Sequence, residues 1–312
     1  MILVHIGYHK TGTSWLQGRL FGNPKSGMRW LGKSEGHPVR KLVAARALEF
    51  DAAAARAAFD PLLESARADG LLPVVSFERL TGHPFSGGYD AKEIADRLAA
   101  VFPEGRILVV MREQRAALLS TYKQYVRAGG VAPIERFLVP PRSKAMRTAT
   151  FTLDHFDYRH LLRYYRGLFG AERVLALPFE RFVRDGSGFV AEIGEFAGRP
   201  LSSDVLAALP YERRSNAAPT AGVIAVRREL NRLTNRSELN PEPLFASKKG
   251  ARLAVKWSRS SRLASLTGAY GARLEREWRR RVEELVGDRY VEGNRETAGL
   301  VGADLGGYGW MV

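Results

Sequence analysis

Cysteine is absent from the 312 residues, which excludes a disulfide framework, a cysteine nucleophile and a cysteine-ligated zinc site together. Long apolar runs are absent too. No stretch approaches the roughly 18 residues needed to span a bilayer. The segment Met1–Gly7 is too short for a signal-peptide core and has no basic lead. These absences predict a soluble protein of a reducing compartment, the cytoplasm. Acidic residues are scarce beside basic ones: 33 Asp and Glu against 48 Lys and Arg leave a formal charge of +15. Such a field attracts nucleic acid, anionic membrane or small ligands carrying several phosphates, and does not by itself choose among them. Histidine and carboxylate residues show no metal-ligand spacing, so no metal site is expected. His5, inside the first apolar run, reads as a core histidine.

What is present is enough for a packed core: 45% of the residues are hydrophobic. Ile2–Ile6, Leu72–Phe77, Arg106–Met111 and Arg173–Leu177 are short apolar runs that read as buried strands. Helical spacing follows them at Trp15–Phe21, Ala91–Phe102, Glu113–Ala128 and Gly188–Phe196. Tyr158–Phe169 is a further helix, and residues 38–68 carry one or two, with Pro61 expected to break or restart the run. Alternation of strand and helix predicts an α/β protein: a three-layer sandwich with a central parallel sheet covered by helices. Beyond Leu201 the sequence turns polar and basic, with helices expected at Gly222–Leu233 and Ala272–Val286. The reading is one domain, a sheet-bearing core over 1–200 and a mostly helical cap over 201–312.

Two motifs carry chemistry. Gly7-Tyr8-His9-Lys10-Thr11-Gly12-Thr13-Ser14 links the first strand to the first helix. Its glycines keep the spacing of a triphosphate loop, G-x-x-x-x-G-K-[ST], and Ser14 keeps the final hydroxyl. Thr13 stands in the lysine position, and the lysine lies inside the loop as Lys10. Backbone N–H groups freed by glycine, one ammonium and two hydroxyls suit a phosphate with a neighbouring anionic group. The second motif is Arg112, at the carboxyl end of a parallel strand, where ligands of such sheets bind, followed eight residues later by Ser120. A guanidinium fork and a hydroxyl make a second phosphate site.

His-Lys-Thr-Gly-Thr-Ser after an apolar strand, followed by Arg-x₇-Ser after another, resembles the sulfotransferases that use 3′-phosphoadenosine 5′-phosphosulfate (PAPS). The resemblance implies a P-loop-like fold and PAPS as sulfuryl donor, with its desulfated product PAP released. It implies that Lys10, Thr11, Gly12, Thr13 and Ser14 hold the 5′ end and Arg112 and Ser120 the 3′-phosphate, with no metal. Lys10 would stabilise the moving sulfuryl oxygens and the leaving phosphate. The resemblance gives Glu78, at the end of the Leu72–Phe77 strand, the role of general base. His9 is its rival, being able to titrate near neutral pH. Glu180 matches a family position read as structural. Arg213-Arg214-Ser215-Asn216 resembles a segment of bacterial members, and Arg213, Arg214 or Asn216 is a candidate to close over the cofactor, Arg214 being the one placed among the cofactor-binding residues.

The acceptor is expected to be a hydroxyl of a carbohydrate or another small molecule. The basic cap could meet an anionic membrane or an acidic glycan. Two other classes compete. A nucleotide kinase or triphosphatase is disfavoured by Thr13 in the lysine position. A nucleic-acid-binding protein is disfavoured by the lack of any recognised motif for it.

Overall fold

The computed structural model describes residues 1–141, 149–212, 219–257 and 261–312. Five strands form one parallel sheet: β1 (Leu3–His5), β2 (Met28–Trp30), β3 (Leu72–Ser76), β4 (Arg106–Met111) and β5 (Val174–Pro178), in the order β2-β3-β1-β4-β5. The register sets Val4 between Val75 and Ile107. The longer helices are α1 (Ala52–Ala68), α2 (Ala91–Val101), α3 (Gln114–Arg127), α4 (Tyr158–Phe169), α5 (Gly186–Phe196), α6 (Ala221–Thr234), α7 (Lys248–Trp257), α8 (Gly268–Val286) and α9 (Val291–Val301).

Side chains of a strand alternate between faces, and here both faces are buried, as in parallel sheets generally. Ile107, Val109 and Met111 enter one apolar layer with residues of α1 to α4, α6 and α8. Leu108 and Val110 enter the other with Trp15, Leu16, Leu20, Phe189 and Ile193. The expected three-layer α/β architecture is the one observed. Trp278, Val282 and Trp310 belong to the first layer, so the C-terminal residues complete the core on that face.

Two local expectations are corrected. Pro61 neither breaks nor restarts its helix, since α1 runs through it. The missing N–H frees the carbonyl of Ala57, which is exposed and can turn to water, while Phe59, Leu63 and Ala66 remain buried and hold the helix. β2 was not expected. It is a three-residue strand paired, among the described residues, with β3 alone.

The chain leaves β1 toward the second layer, whereas it leaves both neighbours, β3 and β4, toward the first. Such divergence opens a crevice beyond the carboxyl ends of the strands, where α/β sheets hold their ligands.

Candidate functional site

The loop after β1 lies at that crevice. Its backbone is committed at two points: Lys10 and Gly12 both have positive φ, 69° and 81°. For Lys10 this conformation is uncommon and holds the residue in a sparsely populated region. Gly7 is required for a different reason. A Cβ there would sit 2.5 Å from His5 Nε2. His5 cannot yield, because its Nδ1 is bonded to Ser76 Oγ at 2.8 Å, and Gln17 Nε2 donates to the same Oγ at 3.1 Å. The loop therefore rests on a buried polar support that ties β1, β3 and the first helix together.

Each hydroxyl of the loop has a distinct place. Thr11 Oγ1 donates to the Tyr8 carbonyl and closes the turn. Thr13 Oγ1 is buried with no hydrogen-bond partner among the described residues. Ser14 is exposed on the first helical turn. A buried hydroxyl without a partner costs stability unless a ligand or water satisfies it.

Lys10 is half-buried, and its ammonium is held below the ordinary lysine range. Burial is the largest cause, the charges of Arg127 and Arg112 add to it, and Glu78 partly opposes. Among the described residues Lys10 has no ion-pair partner. An arriving anion would relieve both the burial and the repulsion.

Arg112 follows β4 and reaches across the crevice. Its Nη1 donates to the Lys10 carbonyl at 3.2 Å, and its guanidinium lies 5.5 Å from the centre of the Phe179 ring. Tyr158 Oη donates to the Arg112 carbonyl at 2.6 Å. The two predicted anion-binding residues are thus in direct contact. Ser120 is half-buried on α3, and Arg127 stands seven residues on, on the same face. The charge of Arg127 acts on Lys10 in the loop.

Glu78 follows β3. Both carboxylate oxygens accept from Lys33 Nζ, at 3.2 and 2.9 Å. Burial works to raise the Glu78 carboxyl, but Lys33, its own backbone N–H and His9 outweigh this, and it stays below the usual carboxylate range. His9 is held at about 3, first by burial and then by His83, His155 and Arg79, with Glu78 opposing. It is neutral at physiological pH, and its Nδ1 is buried without a partner among the described residues. Beside it, Arg79 bonds Asp90 at 2.8 Å, and among the described residues Arg79 Nη1 is also buried and unpartnered. Glu180 is structural as expected, accepting from the Glu113 N–H and from Trp310 Nε1, each at 3.1 Å.

Lys33 is the residue that the sequence did not reveal. It lies 45 positions from Glu78, and no spacing rule links them. Arg213, Arg214, Ser215 and Asn216 lie outside the described residues, so the Arg214 assignment has no structural account.

The fold and this edge define a class: a parallel-sheet α/β protein with two cationic residues, Lys10 and Arg112, brought together beyond the strand ends. Residues 90–203 match the sulfotransferase family, a segment that includes Arg112, Ser120 and Glu180. No curated protein matches the sequence. Among solved structures the chain is similar to a sulfotransferase from Alicyclobacillus acidocaldarius, with a TM-score of 0.56 and 17% identity over 98% of this chain and 97% of that one. A sulfotransferase domain from the curacin biosynthetic pathway matches with a TM-score of 0.41 and 14% identity, over 86% of this chain and 97% of that one. A little over a third of the chain, residues 90–203, thus matches the sulfotransferase family, and along nearly its whole length the fold is similar to that of the Alicyclobacillus protein. Among the described residues, no helix is long and apolar enough to cross a membrane.

Proposed function

We propose that the protein transfers the sulfuryl group of PAPS to an acceptor hydroxyl and releases PAP. The observation that carries the reading is the contact between Arg112 and the Lys10 carbonyl at 3.2 Å. It joins the loop after β1 to the end of β4, so that two cations without ion-pair partners among the described residues address one anionic ligand. The buried, unpartnered Thr13 Oγ1 fits the same ligand.

PAPS supplies an activated sulfuryl group. In the reaction the acceptor oxygen bonds to sulfur as the bond from sulfur to the phosphate oxygen breaks, and the hydroxyl proton goes to Glu78. Lys10 stabilises the charge that develops on the leaving oxygen; this is the part of such a transfer that a protein contributes most. Arg112 and Ser120 position the far phosphate. Glu78 is assigned the proton in preference to His9. Burial favours the neutral carboxyl that Glu78 becomes, against the hold of Lys33 on its ionised form, whereas burial opposes the charge that His9 would gain. A neighbouring cleft of about 430 Å³, walled by Tyr8, His155, Leu161, Tyr164 and Tyr165, is of a size to take a small-molecule acceptor.

Thermal unfolding with PAP tests the reading. At about a hundred times the dissociation constant, binding stabilises the native state by about 2.7 kcal/mol, a rise of roughly 4–6 °C in the midpoint. The rise is expected to shrink in Lys10→Ala and in Arg112→Ala. A midpoint unmoved by PAP, or moved only by ATP with magnesium, would sink the proposal.

A further inference from the structure

The exposed apolar side chains of the molecule are unevenly distributed. Leu244, Phe245, Leu253, Leu266 and Tyr270 are each between 58% and 80% exposed. Single exposed leucines are ordinary, but a concentration of them marks an interaction surface. From Leu244 to Tyr270 the sequence also carries six Lys and Arg residues and no Asp or Glu.

These residues belong to one stretch of chain that packs along helix α6. Helix α6 is the support beneath it. The Leu244 and Phe245 N–H groups donate to the Arg232 and Leu233 carbonyls at its C-terminal end. α7 starts at this end, where a Cβ on Gly250 would lie 3.0 Å from Thr234. α8 starts at the opposite end, where a Cβ on Gly222 would lie 2.7 Å from Thr267. The chain between them, α7 and the short helix Ser261–Leu266, therefore runs back along α6 and packs on it. On α7 the residues Lys249, Arg252, Leu253 and Lys256 are all exposed. They fall at i, i+3, i+4 and i+7, a single face turned outward. That face is a leucine set among three cations, with Leu244 and Phe245 beside its start and Leu266 and Tyr270 beyond its end.

We infer that this stretch docks on the surface of an anionic lipid bilayer, with α7 lying in the plane of the interface. The cations match the headgroups and the apolar side chains match the acyl boundary. A nucleic acid or a sulfated glycan would use the cations but would leave five apolar side chains in water, which is why the bilayer is the occupant that fits. The inference does not depend on the donor or acceptor assigned above. It gives the basic cap a role separate from the anion site at the strand ends.

Flotation of the full chain with lipid vesicles tests it. Vesicles of phosphatidylcholine with about one-third phosphatidylglycerol should carry the protein, and pure phosphatidylcholine should not. Two variant sets alter only exposed side chains: Lys249→Glu with Arg252→Glu and Lys256→Glu, and Phe245→Ser with Leu253→Ser. Each is expected to lower partitioning by about tenfold or more while the melting curve stays that of the parent. Failure to float with anionic vesicles would overturn the inference. So would equal floating with neutral ones, or floating that the charge reversal lowers and the serine pair leaves unchanged, which would mark a soluble polyanion as the partner.

Discussion

Lys33 bonds both oxygens of Glu78 and is the main force holding that carboxyl down against burial. With the lysine removed, burial prevails and the carboxyl rises. A base must be ionised to act, so the acid limb of the rate profile moves with it. In Lys33→Met the limb, followed by PAP release, is expected to shift to higher pH; an unmoved limb would show that Glu78 is not the base. Glu78→Gln is expected to lower turnover by about a hundredfold or more with the PAP-induced rise in midpoint intact. Wild-type turnover in that variant would remove Glu78 from the mechanism. The contrast between the two residues also shows what a sequence reveals. Lys10, Glu78 and Arg112 could be found because each follows the end of an apolar strand, and the ends of parallel strands share one edge. Lys33 could not, because its tie to Glu78 is made by β2 pairing with β3, and β2 left no pattern. The unpartnered atoms of Thr13, His9 and Arg79 were equally out of reach, since burial is a property of the packed chain.

The loop between β1 and its helix is the element on which the site depends, and its two ends are fixed by different physics. Gly12 needs its positive φ, and Gly7 needs the absence of a side chain above His5. Gly7→Ala is expected to destabilise by about 1–3 kcal/mol, the cost of forcing a methyl into a packed support. Gly18 is the control. It lies in the helical continuation Leu16–Leu20, with nothing within 4 Å of an added Cβ, so Gly18→Ala should be neutral or slightly stabilising. Denaturant midpoints read both, and equal midpoints for the two variants would refute the steric account. Elements with a strong period were legible in the same way: β1, β3, β4 and β5 by apolar runs, and α2 to α6 and α8 by helical spacing. Weak or contradictory signals misled. Met28–Trp30 is too short to show a period, and Pro61 is a breaker whose cost falls on an exposed carbonyl that water can satisfy. The Lys248–Trp257 segment read only as a basic group, although Lys249, Arg252, Leu253 and Lys256 recur at helical spacing, so here a legible signal was passed over.

At the scale of the molecule, a chain of net charge +15 keeps several imidazoles neutral inside it. Burial holds His5 and His9 at about 3 and His155 at about 4. Unfolded, each would take up a proton near its ordinary value of about 6.5. Between that value and the folded one, the unfolded chain binds more protons, so stability rises with pH and is lost as pH falls. Each such histidine contributes a slope of up to about 1.4 kcal/mol per pH unit across that window, and the slopes add for groups titrating together. Self-repulsion acts in the same direction, because protonating carboxylates makes the positive excess larger. The denaturant midpoint is therefore expected to fall steeply from about pH 7 to about pH 5, where most mesophilic folds are near their best. His155→Phe keeps the ring packing against Tyr8, 5.1 Å away, and removes one titrating group. Its midpoint should fall less steeply with acid than that of the parent. A parent midpoint that is flat over this range would mean that the buried imidazoles carry protons in the folded state. It would contradict the burial that sets the neutral form of His9 beside Glu78.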